Sequence, residues 1–216
     1  MTINNGNFLN KLVRRLWIAV ATKSFSKRVW VPSDYPPPID QIALEDCKVL
    51  SNRELLIERL NLPTNPVAAE VGVAQGEFSK FILETLHPKE LHLFDLRLQH
   101  IEILFSEEIE LKQVCLHEGD SSTLMSSLSD GYFDLIYIDG DHSYEGVMKD
   151  ISEATEKLKL NGYLVFNDYT FWSPGECIQY GIVPAVNELI STGDWEAVYF
   201  ALEGLMYCDI AIKRKV

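Results

Sequence analysis

The stretch Val67–Gly76, Val-Ala-Ala-Glu-Val-Gly-Val-Ala-Gln-Gly, constrains this chain more than any other. An apolar run interrupted only by Glu70 reaches Gly72, small residues carry it to Gly76, and Glu77-Phe78-Ser79-Lys80-Phe81-Ile82-Leu83 opens a helical pattern. A buried strand, a turn nearly free of side chains and a helix N-terminus together let backbone N–H groups approach a ligand, with partial positive charge from the helix end. The plainer alternative is a tight strand-to-helix turn with no ligand. The order Gly72-Val-Ala74-Gln-Gly76 departs from the dinucleotide fingerprint, because Ala74 stands where a glycine would let backbone meet a pyrophosphate. With Glu70 two residues before the first glycine, the loop suits a ligand with a cationic centre and an amino-acid tail.

From this stretch onward, strand and helix patterns alternate. Strands read at 67–73, 91–96, 113–118, 133–139 and 162–167, with helical periodicity between them. The clearest helix is Tyr144–Leu160, with Val147, Ile151, Ala154 and Leu158 on one face and Gly162 as its stop. Ser51-Asn-Arg-Glu54 reads as a capping box for a helix from Asn52 to Leu60. An aromatic loop (Tyr169, Phe171, Trp172) leads to a helix near Ile182–Ser191, and the apolar runs 195–202 and 205–213 predict an antiparallel hairpin. The fold class is therefore α/β, doubly wound on a mostly parallel sheet.

The length of 216 residues suits one such domain, placed at 61–216, preceded by a helical extension and Pro-rich loop over 1–60. Residues 7–29 read as a basic amphipathic helix, for packing or a homodimer contact; a signal peptide or weak association with acidic lipid is the alternative. Val31–Asp40 carries prolines that exclude regular helix.

Net charge is −13, and the six basic and two acidic side chains of residues 1–40 leave −17 for the rest. A body that acidic argues against a nucleic-acid partner, which needs clustered Lys and Arg. No apolar run is long enough for a membrane span. Four scattered cysteines without a C-x-x-C pair fit reduced thiols and a cytoplasmic location.

Further candidates fall at strand ends. Asp95 lies 19 residues beyond Gly76, where an acid accepts hydrogen bonds from a ribose diol. Asp120, in Gly-Asp-Ser-Ser, either accepts from an adenine amine or is a plain N-cap. Asp139, Asp141 and His142 crowd one buried strand's end, and Asn167-Asp168 close the next. Asp139, Asn167 and Asp168 would make an oxygen cluster for Mg²⁺, or else a polar loop bonding its own backbone. His87, His92, His100 and His117 receive no role.

On these residues the chain resembles class I S-adenosylmethionine-dependent methyltransferases over roughly 60–216. Glu70-Val-Gly72-Val-Ala-Gln-Gly76 is similar to that family's acid-x-Gly-x-x-x-Gly loop, and Asp95 to its second-strand acid. Ile138-Asp139-Gly-Asp-His142-Ser-Tyr-Glu-Gly146 resembles small macrocin-type O-methyltransferases and, more distantly, metal-dependent catechol enzymes. The resemblance implies a Rossmann-like sheet of seven strands, ending in the hairpin. It places S-adenosylmethionine across Glu70, Gly72, Val73, Ala74, Gly76 and Phe78, then Asp95 and Leu96, Asp120 and Ser121, and Asp139. It implies a cation such as Mg²⁺ at Asp139, Asn167 and Asp168, with His142 as general base beside Asp139. Asparagine in place of a second adjacent acid departs from the sugar-type pattern. The expected activity is O-methylation of a small sugar or phenol. The rivals are a nicotinamide-dependent oxidoreductase and a non-catalytic nucleotide-binding protein.

Overall fold

The computed structural model describes residues 36–215. The expected helix at 7–29 and the first half of the Pro-rich segment lie outside them. A 3-10 turn at Gln41–Leu44, capped by Asp40, precedes β1 (Lys48–Leu50) and α1 (Arg53–Arg59). Then follow β2 (Val67–Val71), α2 (Glu77–Leu86), β3 (Glu90–Asp95), α3 (Gln99–Leu104), α4 (Ser106–Glu110), β4 (Val114–Glu118), α5 (Ser121–Ser126), β5 (Phe133–Ile138), α6 (Tyr144–Lys157) and β6 (Leu158–Phe166). The chain closes with β7 (Trp172–Ser173), β8 (Ile178–Gln179), α7 (Ile182–Ser191), β9 (Trp195–Ala201) and β10 (Asp209–Arg214).

The sheet order is β1-β9-β10-β6-β5-β2-β3-β4, with β7 and β8 forming a separate antiparallel hairpin. All pairings in the large sheet are parallel except those of β10, which runs against both β6 and β9. The strand order turns back between β2 and β5, and a ligand crevice opens at such a switch point.

Every residue of β2 and β5 is buried, as expected for strands covered on both faces. Side-chain alternation sends Val67, Ala69, Val71, Ile136 and Ile138 into a core with Ile151 of α6 and Ile182 of α7. Ala68, Leu91, Leu93, Leu135 and Tyr137 face the other way, toward Ile82 of α2 and Leu56 and Ile57 of α1. Each such Val, Leu or Ile side chain contributes about 1.5–3 kcal/mol when fully buried. The α1 and β1 contributions come from the N-terminal side of position 61.

Four expectations need correction. The sheet has eight strands, not seven, because Lys48–Leu50 adds beside β9, with Val49 paired to Phe200. The cap of α1 is Asn52, whose Oδ1 accepts from the Leu55 N–H at 2.8 Å, not Ser51. Helix α6 ends at Lys157, since Leu158 is already extended at ψ 134°. Gly162 therefore lies inside β6, where a Cβ would come within 2.8 Å of the Leu158 side chain. Within the expected aromatic loop, Trp172 and Ser173 pair with Gln179 and Ile178 as the β7–β8 hairpin.

Candidate active site

The ladder continues past the ends of the parallel strands. Gly72 N–H donates to the Phe94 carbonyl (2.9 Å), Asp139 N–H to Val71 (2.7 Å), Asn167 N–H to Ile138 (2.9 Å) and Gly119 N–H to Asp95 (2.9 Å). These bonds bring the loops after β2, β3, β4, β5 and β6 onto one edge. Gly72 sits at φ +84°, and a Cβ there would lie 1.9 Å from the Asp139 carbonyl oxygen, so only glycine fits.

Between these loops is a cavity of about 500 Å³. Val71, Gly72 and Ala74 form one side, Phe94, Asp95 and Leu96 the next, and Gly119, Asp120, Ser121 and Ser122 the far end. Asp139, Gly140 and Asp141 and one face of α6 (Gly146, Lys149, Asp150) complete it. Its volume is in the range of small-ligand pockets.

Asp95 organises the loop side. One carboxylate oxygen accepts from the N–H groups of Val73 (2.9 Å) and Ala74 (3.2 Å), and the other from Arg97 N–H (3.2 Å). His100, given no role from sequence, meets the Ala74 carbonyl through its Nε2. Asp120 is the N-cap of α5, accepting from Thr123 N–H at 2.9 Å as well as from the Thr123 and Ser122 hydroxyls. These hydrogen bonds hold its carboxyl down at about 2, so a charged acid borders the cavity. Ser121 donates to Asp150 at 2.6 Å, tying α5 to α6.

Of the expected donor contacts, Gly72, Ala74, Asp95, Leu96, Asp120, Ser121 and Asp139 line the cavity. The others support it from behind. Glu70 is 1% exposed and accepts from the Ser79 hydroxyl of α2. Burial raises its carboxyl to about 8, leaving it protonated and uncharged at neutral pH. Val73 is buried in the core, while Gly76, at φ +80°, starts α2 against Ile101 and Leu104. Phe78 packs on Tyr137, with ring centroids 4.5 Å apart. Sequence reasoning missed Gly146, Lys149 and Asp150. Their signal was the α6 periodicity: they flank the apolar face of Val147 and Ile151 at i, i+3 and i+4.

At the β5 and β6 ends, His142 Nε2 lies 3.4 Å from Asp139 and 3.9 Å from Asp168. Burial opposes the imidazolium. The Asp139 hydrogen bond and the charges of Asp139, Asp168 and Glu176 outweigh it and raise His142 above its ordinary value. Burial first, then the Asp139 charge, pushes the Asp168 carboxyl up, against the pull of His142 and Arg53. The Tyr180 ring packs 4.4 Å from the His142 ring, and Gly181 N–H donates to the His142 carbonyl at 2.7 Å. The segment after β8 thereby clamps this loop.

Asp139, Asn167 and Asp168, the expected metal set, follow the ends of the neighbouring strands β5 and β6. Asn167 turns into the protein, donating its amide at 3.1 Å to both the Tyr137 hydroxyl and Asp209. Tyr137 in turn donates to Asp209 at 2.7 Å. Asn167 is 6% exposed, and both bonds use its amide nitrogen rather than the oxygen that would ligate a cation. Among the described residues, no three His, Cys, Asp or Glu side chains are arranged to hold a metal ion.

Comparison with known proteins agrees with this geometry. Residues 69–169 match a family described as a methyltransferase domain. An uncharacterized protein of Acanthamoeba polyphaga mimivirus is 34% identical over 70 residues, 32% of this chain; the match spans 28% of that protein's length. A crystal structure of a Corynebacterium glutamicum protein superposes with TM-score 0.60 at 17% identity, covering 99% of this chain and 98% of that one. The Burkholderia thailandensis 1,6-didemethyltoxoflavin-N1-methyltransferase, with S-adenosylhomocysteine bound, gives 0.57 at 14% identity over 100% and 93%. An Aquifex aeolicus S-adenosylmethionine-dependent methyltransferase gives 0.56 at 16% over 81% and 93%. These likenesses establish the fold. Residues 69–169 thus match a methyltransferase-domain family, and the chain shares the fold of solved S-adenosylmethionine-dependent methyltransferases.

Proposed function

We propose that the protein transfers the methyl group of S-adenosylmethionine to the oxygen of a small hydroxylated acceptor, of sugar or phenol type, with His142 as general base. The observation that carries this reading is an imidazole held between Asp139 and Asp168, where Asp139 also lines the cavity. When bound, S-adenosylmethionine supplies a methyl group already activated on a sulfonium and departs as S-adenosylhomocysteine.

The chain's own residues do the rest. Asp95 fixes the Val73–Ala74 backbone and presents its carboxylate to a ribose diol. A neutral His142 that donates Nε2–H to Asp139 keeps the Nδ1 lone pair free to take the acceptor's hydroxyl proton. Asp139 and Asp168 then stabilise the imidazolium. Tyr180 packs against the ring and shields it from water.

A cation such as Mg²⁺ would be held by the oxygens of Asp139, Asn167 and Asp168 and would lower the pKa of the acceptor hydroxyl, Tyr137 and Asp209 holding Asn167 by its amide nitrogen. The acidic charge supports a small-molecule acceptor over a nucleic acid. Four free cysteines fit a cytoplasmic setting. A homodimer contact falls to the basic N-terminal segment, and the catalytic unit to 61–216 with β1 and α1 added.

The test is methyl transfer from methyl-labelled donor to a panel of sugars and phenols, with amines and NAD(H) as controls. Label on oxygen, lost in His142→Gln, supports the reading. Label on nitrogen alone, or NAD(H) turnover instead, contradicts it.

A further inference from the structure

The described residues that line the cavity include a single basic side chain, Lys149 on α6, at the end bordered by Asp120 and Asp150. The loop end, by contrast, is surrounded by acids. An S-adenosyl nucleoside carries a carboxylate on its amino-acid tail, and a carboxylate taken out of water needs a cation or several N–H donors. A cation beside Phe78, next to the Gly72–Gly76 loop, comes from outside the matched methyltransferase segment.

Arg53 opens α1, directly after β1 delivers the chain to the edge where the Gly72 and Asp139 loops lie. Its backbone N–H donates to Glu203 at 2.8 Å, which ties the start of α1 to the β9–β10 connection. Its guanidinium lies 4.4 Å above the Phe78 ring, in the first turn of α2 just beyond Gly76. The same charge acts on Glu70, Tyr137, Asp168 and Asp209, so the group is central to the catalytic edge. Yet its one carboxylate within ion-pair range among the described residues is Glu54, at 3.9 Å, and the side chain keeps 32% of its exposure. Glu70 and Asp209 are raised to about 8 and about 7 by burial, so they do not stand as full counter-charges at neutral pH. A planar guanidinium with five donors, hydrogen-bonded to Tyr137, stacked on an aromatic face and lacking a buried carboxylate in ion-pair range, keeps donors for a bidentate anion.

We propose that Arg53 binds the carboxylate of the donor's amino-acid tail, reaching over Phe78 from α1 to the Gly72–Gly76 loop. This assignment rests on the cavity being the donor site. It makes β1 and α1 part of the binding site, and it explains why a short strand and helix preceding the matched segment are built onto this edge.

The test compares two nucleosides by calorimetry, S-adenosylhomocysteine and 5′-methylthioadenosine; the second shares the adenosine and thioether but lacks the amino-acid tail. Arg53→Gln should weaken S-adenosylhomocysteine about 10- to 100-fold and leave 5′-methylthioadenosine within about threefold, with Arg53→Lys between wild type and Gln for the first ligand only. Equal losses for both nucleosides, or no loss for either, would overturn the assignment. Should Arg53→Gln not fold, the Lys variant alone decides by the same contrast. A wild type that binds neither nucleoside overturns the donor reading and Arg53 with it. A wild type that binds both, with Arg53→Gln unaffected, overturns Arg53 alone.

Discussion

The Asp95 carboxylate and the Val73 N–H, 22 residues apart, are joined by a 2.9 Å hydrogen bond, and the same oxygen reaches Ala74 N–H. The acid at the end of β3 therefore shapes the loop after β2 before any ligand arrives. Ala74 keeps φ at +47°, a conformation unfavourable for alanine, and the carboxylate helps hold it. Asp95→Asn exchanges a charge-assisted acceptor for a weaker one at both the loop and the ribose. Affinity for S-adenosylhomocysteine should fall about 30- to 100-fold, roughly 2–3 kcal/mol, by calorimetric titration.

Gly72→Ala attacks the crossing of the β2 and β5 loops. The new Cβ would lie 1.9 Å from the Asp139 carbonyl oxygen, on backbone that cannot yield without moving a strand end. We expect a loss of about 3 kcal/mol or more and a melting temperature lower by roughly 10 °C in scanning calorimetry. An unchanged melting temperature would show that the loops are not in contact.

Glu70 predicts a pH dependence of stability. Its folded value, about 8, is raised from an ordinary 4.5, so its stabilising contribution is complete only below about 4.5 and is lost as pH rises toward 8. Glu70→Gln keeps an acceptor for Ser79 and removes the ionisation. Denaturant titration should find the variant close to wild type at pH 5 and roughly 2–4 kcal/mol more stable at pH 8. Part of the slope should persist, since burial also raises Asp209 to about 7.

His142→Gln should separate chemistry from binding. The imidazole belongs to the cluster with Asp139 and Asp168 and is not among the cavity-lining residues. Donor affinity should stay within about threefold, while single-turnover methyl transfer falls about 10²- to 10⁴-fold, the usual contribution of a general base. Equal losses in both would make His142 a structural residue.

How far the sequence reveals this arrangement depends on the residue. Strands β2 and β5 are legible because burial on both faces demands continuous apolar runs, and the loop at Gly72 because only glycine passes so close to Asp139. Asp95, Asp120 and Asp139 are legible from their places at strand ends. Strand β1 is not: its three residues, Lys48-Val49-Leu50, are mostly exposed, and only pairing with β9 makes them a strand. The partner of Asn167 is hidden for a related reason. It is Asp209, 42 residues away, brought close by the antiparallel return of β10 along β6. Glu70 reads as a ligand contact by its spacing, yet strand alternation turns it to the α2 face and Ser79.

The central claim is that the cavity between Gly72, Asp95, Asp120 and Asp139 holds an S-adenosyl nucleoside. Calorimetric titration of the ligand-free wild-type protein with S-adenosylhomocysteine tests it most directly. The account predicts saturable binding of one nucleoside per chain, unchanged by chelator. A folded protein that gives no heat and no thermal shift with S-adenosylhomocysteine or S-adenosylmethionine would contradict it.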